Sequence, residues 1–184
     1  MKIVDTKLSG VYIIEPDTFE DDRGSLVKSF NKDFFIKNGL ISSFEENYYS
    51  ISNKNVIRGM HFQKNESDHA KLVYVTHGSI LDVVIDLRKN SPTYGQCSSL
   101  ELSKKNHKII YMPKGCAHGF LSLEDNSCVI YLQEKARSEK NEDGIHFNSF
   151  GMDWRVANPI VSKRDQELQN LSEFDSPFML NESK

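Results

Sequence analysis

The sequence predicts an all-β protein with one domain, built as a sandwich or a barrel. Short apolar runs recur along the chain, clusters of turn-forming residues separate them, and helical periodicity is scarce. Turns are expected at Gly78-Ser79 and at residues 91–95, 113–115 and 124–127. Many short strands at nearly regular spacing are typical of a sandwich or barrel and not of βαβ units.

The predicted strands are segments in which apolar residues run together or alternate with polar ones. In chain order they read VYIIEP, SLVKSF, NVIRGMHFQ, AKLVYVTHGSILDVVIDLR, SSLELS, HKIIYMP, HGFLSLEDNSCVIYLQ and GIHFNS. The polar segment FEDDRGS separates the first two. In SILDVVIDLR the period of two places Asp82 and Val84 on one face of the strand and Leu81 and Val83 on the other.

Helical segments are expected at two places. NKDFFIKNGL predicts a short helix that ends near Gly39, and the chain from Asn158 onward predicts loop and short helix. The single domain, residues 1–184, is therefore divided into an amino-terminal strand arm (about 1–35), a barrel (about 36–150) and a carboxy-terminal loop and helix tail (about 151–184).

Composition and charge narrow the class of protein. With 184 residues, 38% hydrophobic and 27% charged, the chain is typical of one globular domain with a real core. Its net charge of −3 predicts no general affinity for nucleic acid or anionic lipid. The three cysteines lack a CxxC pairing, the amino terminus lacks a signal-peptide pattern, and no apolar run reaches the roughly 18 residues that span a bilayer. We therefore expect a cytoplasmic protein without nucleic acid or membrane partners.

The segment NVIRGMHFQ sets Arg58 and His61 into an otherwise apolar run, which is a costly place for polar side chains. Three explanations compete: a metal site, an acid–base site, or a structural histidine. The six histidines include neither an H-x-H nor an H-E-x-x-H pair, so no metal is expected. No serine or cysteine lies in a G-x-S-x-G context, and Cys116, close to His118 in sequence, is read as a small buried thiol.

Acid–base chemistry is the remaining explanation. Arg58 and His61 lie three residues apart, so they face opposite sides of a regular strand unless Gly59 marks a bulge. Lys71 opens an apolar strand, and Tyr131 closes the apolar run CVIY. Each of these residues also has a structural explanation, as core tyrosine, satisfied histidine or exposed lysine. The spacing alone leaves both possibilities open.

Several segments in register decide between them. NVIRGMHFQ with Ala70-Lys71, GSILDVVIDLRKNSPTYGQ and YMPKGCAHGFLSLEDNSCVIYL closely resemble the dTDP-4-dehydrorhamnose 3,5-epimerase family. DDRGSL, GMDW and SKRD follow in the family's order, so the resemblance extends from about Lys7 to Asp165. It implies a cupin-like double-stranded β-helix (jelly-roll) barrel with a few short helices, acting without metal or cofactor.

The resemblance also implies a reaction, the double deprotonation of a nucleotide-diphosphate 4-keto sugar next to its ketone. His61 matches the general base and Asp165 the carboxylate that holds its imidazole. Lys71 matches the cation near the enolate oxygen, and Tyr131 the acid that returns a proton to the opposite face. The product would serve the biosynthesis of a deoxy or heptose sugar for surface polysaccharide.

The resemblance assigns substrate contacts as well. Arg23 and Arg58 match the arginines that grip the diphosphate, Asp82 and His118 line the sugar pocket, and Glu142 makes a weaker polar contact. The full expected substrate-binding set is Arg23, Lys28, Glu46, Asn47, Tyr48, Arg58, Gln63, Asp82, His118, Arg137, Glu142 and Arg164. A homodimer with an exchanged amino-terminal strand is implied, in which Arg23 serves the neighbouring site.

Departures from the family's pattern cluster around the nucleotide base. Residues 25–28 replace a bulky pair and a glutamate, Glu46-Asn47-Tyr48 replaces a Gln-x-Asn pair, and Arg137 stands where a tyrosine commonly stacks on thymine. Because a carboxylate accepts from guanine N–H groups and an arginine stacks on a purine, GDP is favoured over dTDP as the nucleotide.

Three other functions stay open. An epimerase that inverts C3 alone would keep the same residues. A sugar-nucleotide ketoisomerase is less favoured, because a base and an acid on opposite faces suit inversion better than proton transfer along one face. A non-catalytic sugar-nucleotide-binding cupin is disfavoured because His61, Lys71 and Tyr131 are all present.

Overall fold

A computed structural model describes residues 1–180, and in them the chain is mostly β-sheet with two short α-helices. The strands are β1 (Lys2–Asp5), β2 (Tyr12–Glu15), β3 (Asp17–Asp21), β4 (Gly24–Lys28), β5 (Glu46–Ser52), β6 (Val56–Gln63), β7 (Lys71–His77), β8 (Ser79–Asp86), β9 (Cys97–Ser103), β10 (Ile109–Met112), β11 (Cys116–Ser122), β12 (Ser127–Gln133), β13 (Glu142–Gly144) and β14 (Ile160–Val161). The α-helices are α1 (Lys32–Lys37) and α2 (Lys163–Gln166), and short 3-10 helices cover Asn65–Ser67, Glu139–Asn141 and Leu171–Glu173.

The strands form two large sheets and one separate hairpin. Sheet 1 has the order β1-β2-β10-β7-β12-β5, and sheet 2 has the order β13-β6-β11-β8-β9, with β14 pairing in parallel on β6. The predicted all-β class is confirmed. Strand pairing among residues 1–180 does not join the two sheets, so the closed jelly-roll barrel that the resemblance implies stays a prediction.

Most predicted strands are present, and the exceptions are informative. GIHFNS is not a strand: β13 ends at Gly144, and beyond it Ile145 makes only a single bridge to Gln169. Strands β1, β3 and β5 were not predicted, because they are short or rich in polar residues. The FEDDRGS segment covers the end of β3, the turn of the β3–β4 hairpin and the first two residues of β4.

The amino-terminal segment divides into two parts. Strand β1 pairs with β2, and β2 pairs with β10 of the same chain, whereas the β3–β4 hairpin pairs with no other strand of the described chain. Phe19 and Leu26 face each other across this hairpin and are both more than half exposed. At the other end, the chain from Asn158 onward is loop and short helix as predicted, except for the unpredicted two-residue strand β14; residues 181–184 of the expected tail lie outside the described residues.

The main core lies between the two sheets. Val73 and Val129 of sheet 1 pack in one buried cluster with Ile80, Val84 and Phe120 of sheet 2. The two faces of β8 separate as the alternation predicts, since Val83 and Ile85 belong to another cluster on the outer face of sheet 2. Both faces of this strand are therefore buried.

Two further clusters cover the outer faces. Trp154, Phe174 and Phe178 of the carboxy-terminal segment pack on the outer face of sheet 2. Helix α1 covers the outer face of sheet 1 with Phe35, which is fully buried. The side chain of Asn31 caps this helix by accepting from the backbone N–H of Phe34 at 2.9 Å, and the chain turns at Gly39 as predicted.

A glycine contact lets Arg58 and His61 share one side of β6. The register between β6 and β11 shifts between His118 and Phe120, next to Gly59, so the bulge that the spacing required is present. A Cβ at Gly59 would lie 2.5 Å from Gly119 Cα and 2.9 Å from His118 O, and the φ of Gly59 is +127°. Only glycine meets both requirements.

We expect Gly59→Ala to lower the free energy of unfolding by about 2–4 kcal/mol, since the added methyl collides with backbone and the backbone angle is strained. Gly151→Ala is the matched control, because Gly151 also has a positive φ, of +75°, but open space around it. That control substitution should lower the free energy of unfolding by about 1 kcal/mol. Urea unfolding measures both variants, and equal costs would contradict the close-contact argument.

Candidate active site

A cavity of about 530 Å³ opens between the two sheets, and both sheets supply its walls. Sheet 1 contributes Tyr48, Ser50, Lys71, Tyr131 and Gln133, and sheet 2 contributes Val56, Ile57, Arg58, His61, Phe62, Gln63, His118, Phe120, Glu142, Ile160 and Val161. The remaining lining residues are Arg137, Ser162, Arg164 and Asp165. This volume lies within the range of roughly 300–1,000 Å³ that is typical of small-molecule sites.

His61, which is partly exposed, and the buried Asp165 form a hydrogen-bonded pair in this cavity. His61 Nε2 lies 2.8 Å from Asp165 Oδ1, and the second carboxylate oxygen accepts from the backbone N–H of Gly59 at 3.1 Å. Ser162 caps helix α2 by accepting from the backbone N–H of Asp165 at 3.1 Å. The helix start therefore fixes the carboxylate, and the carboxylate fixes the imidazole.

The charge of Asp165 is stabilised by these donors. Burial by itself raises the pKa of this carboxyl, but the hydrogen bond and charge of His61, together with the N–H of Gly59, hold the pKa below its usual value. Because the carboxylate accepts at His61 Nε2, that nitrogen carries the ring proton in the neutral histidine. Nδ1 is then left unprotonated and able to act as a base.

A second histidine–carboxylate pair lies deeper. His118 Nε2 is 2.7 Å from Asp82 Oδ2, and both side chains are buried. Of these two expected pocket residues, only His118 lines the cavity, and Asp82 does not. Asp82 lies behind His118 and orients its ring.

Tyr131 stands on the opposite wall from His61, because β12 belongs to sheet 1 and β6 to sheet 2. Its ring stacks on Tyr48 with centroids 4.7 Å apart, and its hydroxyl lies 3.4 Å from Ser50 Oγ. Burial raises the pKa of Tyr131 well above its ordinary value. The phenol therefore keeps its proton at neutral pH and can serve as an acid.

Lys71 contributes a buried amine to the same cavity. Its side chain is 8% exposed, and burial lowers the pKa of Lys71 to about 8, although attraction to Glu142 and Asp68 opposes the fall. At neutral pH the amine is still mostly protonated. It therefore supplies positive charge in a poorly solvated site, where such a charge interacts strongly.

Three arginines lie along the cavity. Arg58 is held by Ser52 Oγ, which accepts from its Nε at 3.0 Å, and by the carbonyl of Ile51 at 3.3 Å. Arg137 and Arg164 share one acceptor, Glu142, at 3.0 Å and 3.1 Å. The arginine expected to stack on a base is thus already paired with a carboxylate.

Residues 5–173 match the family model described as dTDP-4-dehydrorhamnose 3,5-epimerase. The chain is 38% identical to the enzyme of that name from Methanothermobacter thermautotrophicus, over 94% of this chain and 95% of the relative. The chain belongs to the dTDP-4-dehydrorhamnose 3,5-epimerase family. It is accordingly an enzyme of the epimerase class with a role in deoxy-sugar biosynthesis.

Two other similar proteins are named as a 3-epimerase and as a 3,5-epimerase. The dTDP-4-dehydrorhamnose 3-epimerase of Streptomyces niveus is 31% identical over 94% of this chain and 85% of its own length. The crystal structure of the Legionella pneumophila 3,5-epimerase in complex with dTDP-4-keto-L-rhamnose superposes with a TM-score of 0.92 at 30% identity, covering 100% of this chain and 99% of that one.

The structure brings most of the sequence-predicted site residues together. The expected residues that line the cavity are His61, Tyr131, Asp165, Lys71, Tyr48, Arg58, Gln63, His118, Arg137, Glu142 and Arg164. Their catalytic and binding roles stay predictions. His61 and Asp165 meet although they are far apart in sequence, which the family's motif anticipated and spacing alone did not.

Four other expected contacts lie elsewhere. Arg23 and Lys28 belong to the exposed β3–β4 hairpin, where Arg23 pairs with Asp21. Glu46 accepts from the backbone N–H of Arg137 at 3.0 Å and does not line the cavity. Asn47 alternates with Tyr48 along β5 and so faces away from the cavity. Within one chain, none of these four side chains lines the cavity.

Sequence reasoning missed Gln133, Ser50 and Ser162 as lining residues. Gln133 follows Tyr131 by two positions on the same strand, so the period of two would have placed both on one face. Ser162 precedes Asp165 by three positions, which is the spacing of a helix N-cap. Ser50 lies on the unpredicted strand β5 and had no such signal.

Among residues 1–180 no group of three or more His, Cys, Asp or Glu side chains is arranged to hold a metal ion. The same range contains no helix with the length and apolarity required to span a membrane.

The depressed pKa of Lys71 implies that the free energy of unfolding depends on pH. Between pH 8 and the ordinary lysine pKa of 10.5 the unfolded chain binds this proton and the folded chain does not, so the free energy of unfolding rises with pH in that window. Lys71→Met should therefore be more stable than the wild type at neutral pH, by on the order of 2–3 kcal/mol. The gain should shrink as the pH rises above 8.

Urea unfolding at pH 7, 8.5 and 10 measures the effect. The exposed lysine Lys104 provides the control variant Lys104→Met, which should show no such pH-dependent gain. A Lys71→Met variant that is no more stable than the wild type at pH 7 would mean that the buried amine is well solvated.

Proposed function

We propose that this enzyme inverts C3 and C5 of a nucleotide-linked 4-keto-6-deoxy sugar by deprotonation to an enolate and reprotonation from the opposite face. The main observation in support is that His61, with its Asp165 partner, and Tyr131 come from different sheets and line one cavity. A base and an acid on facing walls suit inversion of a carbon held between them. A ketoisomerase, which moves a proton along one face, fits this arrangement less well.

Each proton has an assigned carrier in this mechanism. His61 Nδ1 removes the proton from the carbon next to the ketone, and Asp165 stabilises the imidazolium that forms. Electrons from the broken C–H bond move to the ketone oxygen, and Lys71 meets the negative charge that develops there. Tyr131 then delivers its phenolic proton to the other face of the carbon, while the enolate collapses to the ketone.

The nucleotide is proposed to be dTDP. The relatives described above are named as enzymes of dTDP-linked sugars, and the expectation of GDP finds no support in them. The side chains on which that expectation rested are also engaged elsewhere. Glu46 is bound to the backbone of Arg137, and the Arg137 guanidinium is paired with Glu142.

Arg58 is proposed to bind the diphosphate together with Arg23 of a second copy of the chain. Arg23 lies at the tip of an exposed hairpin, and β5 is the free edge of sheet 1 beside the cavity. Tyr49 and Ile51 on the outer face of β5 are 65% and 54% exposed, which is unusual for apolar residues on an open edge. A hairpin from the partner subunit would cover this edge and bring its Arg23 to the site.

Inversion at C3 alone is the second candidate. The Streptomyces niveus relative, named as a 3-epimerase, supports keeping this candidate. Incubation with dTDP- and GDP-linked 4-keto-6-deoxyglucose in D₂O separates these possibilities. Deuterium and inversion at C3 and C5 of the dTDP sugar support the proposal; label at C3 alone supports the second candidate, and turnover of the GDP sugar alone would overturn the choice of nucleotide.

Variants at the two walls should separate exchange from inversion. His61→Asn should abolish deuterium uptake at both carbons, because it removes the base, and Asp165→Asn should cost less. Tyr131→Phe keeps the ring but loses the acid, so C3 exchange should continue while net inversion falls by about 10²-fold or more. Mass spectrometry and NMR of the sugar follow both events. Wild-type inversion by Tyr131→Phe would mean that another group donates the proton.

Mixing two inactive variants tests the shared site. Consider a heterodimer of one His61→Asn subunit and one Arg23→Ala subunit. If each Arg23 serves the neighbouring site, one site carries both substitutions and the other site carries neither. After subunit exchange at equal amounts, about a quarter of all sites should be intact, as expected for a two-fold symmetric dimer. Recovery of that activity supports the exchanged hairpin. No recovery, in a mixture shown by mass spectrometry to contain heterodimers, would place Arg23 at its own chain's site or at none.

A further inference from the structure

Gln133 is a buried polar residue in the cavity to which the proposed mechanism gives no role. It is 3% exposed, follows Tyr131 by two positions on β12 and lines the same cavity. Its Nε2 donates to the hydroxyl of Tyr48 at 2.8 Å. Its Oε1 is buried as well, and no residue among 1–180 donates to it. An unpaired buried amide oxygen is costly, so a ligand group is the expected partner.

The side chain next to Gln133 is Lys71, and its charge indicates which ligand group could bind to both. Gln133 lies directly opposite Lys71 in the β7–β12 register, and paired side chains of this kind have Cβ atoms about 5 Å apart. The charges that act on Lys71, chiefly those of Glu142 and Asp68, do so by Coulombic attraction rather than by a hydrogen bond. The cavity wall thus presents a cation beside an amide, both facing the space where the sugar would bind.

We propose that Lys71 and Gln133 form a subsite for an α-hydroxy ketone, with Lys71 on the C4 ketone oxygen and Gln133 on the C3 hydroxyl. This assignment rests on the proposed function and refines its substrate class. The two oxygens of an α-hydroxy ketone lie on neighbouring carbons, so two neighbouring side chains can bind them together. A hydroxyl satisfies the carboxamide in either orientation, because it can donate to Oε1 or accept from an N–H.

Other ligand groups fit this pair less well. A phosphate or carboxylate oxygen would accept from Lys71 but has no proton for Gln133 Oε1. A methyl or methylene group in place of the hydroxyl would leave that oxygen buried and unpaired. A site built to bind a substrate hydroxyl rejects the analogue that lacks it, because its own polar group then loses its partner.

Tyr48 acts as a positioning residue for this subsite. Its ring stacks on Tyr131, and its hydroxyl holds the Gln133 carboxamide. Burial, with the nearby charges of Glu46 and Glu142, raises the pKa of Tyr48 to about 12, so its hydroxyl stays protonated at neutral pH. One side chain therefore fixes both the proposed acid and the proposed hydroxyl contact.

The test compares a dTDP-linked 4-keto-6-deoxyglucose with its 3-deoxy analogue. Deuterium uptake at C5 is measured for both, since both carry a proton there. The wild type should prefer the 3-hydroxy sugar in kcat/KM by about tenfold or more. Gln133→Leu should lose that factor on the 3-hydroxy sugar and leave the rate on the 3-deoxy analogue unchanged. An equal loss on both sugars, or no loss on either, overturns the proposal.

Tyr48→Phe and a control variant complete the design. Tyr48→Phe keeps the stacked ring and should show a smaller loss, again selective for the 3-hydroxy sugar, and should add nothing when combined with Gln133→Leu. The exposed Gln96 provides the control Gln96→Leu, which should leave both rates unchanged. If Gln133→Leu does not fold, as judged by its melting temperature, Gln133→Met replaces it. A nonselective loss in Tyr48→Phe overturns its positioning role.

Failure of the proposed function would be recognised separately. In that case the wild type exchanges no deuterium into either sugar, and calorimetric binding of the same two compounds becomes the measurement. The 3-hydroxy sugar should still bind more tightly to the wild type, and Gln133→Leu should remove that preference. Equal binding of the two sugars to the wild type overturns the subsite.

Discussion

The rest of the site depends on the carboxylate of Asp165. One of its oxygens accepts from His61 and the other from the backbone of Gly59, so a residue near the carboxy terminus ties two points of β6 together. A buried carboxylate without such donors would be strongly destabilising. Docking of the carboxy-terminal segment on sheet 2 is therefore coupled to the orientation of the imidazole.

The cavity is a polar region set between two sheets that otherwise meet through an apolar core. Its walls carry two histidines, a stacked tyrosine pair and a buried lysine on strands, which hold side chains more rigidly than loops, and each histidine is hydrogen-bonded to a carboxylate. Burying these polar groups removes their water, which lowers the pKa of Lys71 and raises the pKa of Tyr131, so the neutral form of each side chain is favoured. A site that abstracts and returns protons benefits from those same shifts.

The polar cavity also explains where sequence patterns failed. Strand β5 has Tyr48 and Ser50 on its inward face, which lines the cavity instead of the core, so it lacks the apolar alternation by which strands are recognised. The opposite error occurred at GIHFNS, where apolar residues pack against the carboxy-terminal segment without forming a ladder. In both places tertiary surroundings overrode the local pattern.

The β architecture, the helix between Asn31 and Gly39, the family and the chemical types of the catalytic candidates could all be predicted from the sequence. These follow from local periodicity, capping residues and motifs in register. Tertiary structure alone decided that Asp82 lies behind His118, that Glu46 and Arg137 are bound to protein groups, and that Gln133 faces Lys71 across two strands. Such facts depend on register and on contacts between residues remote in sequence, because side-chain partners are chosen by packing in three dimensions and not by spacing along the chain.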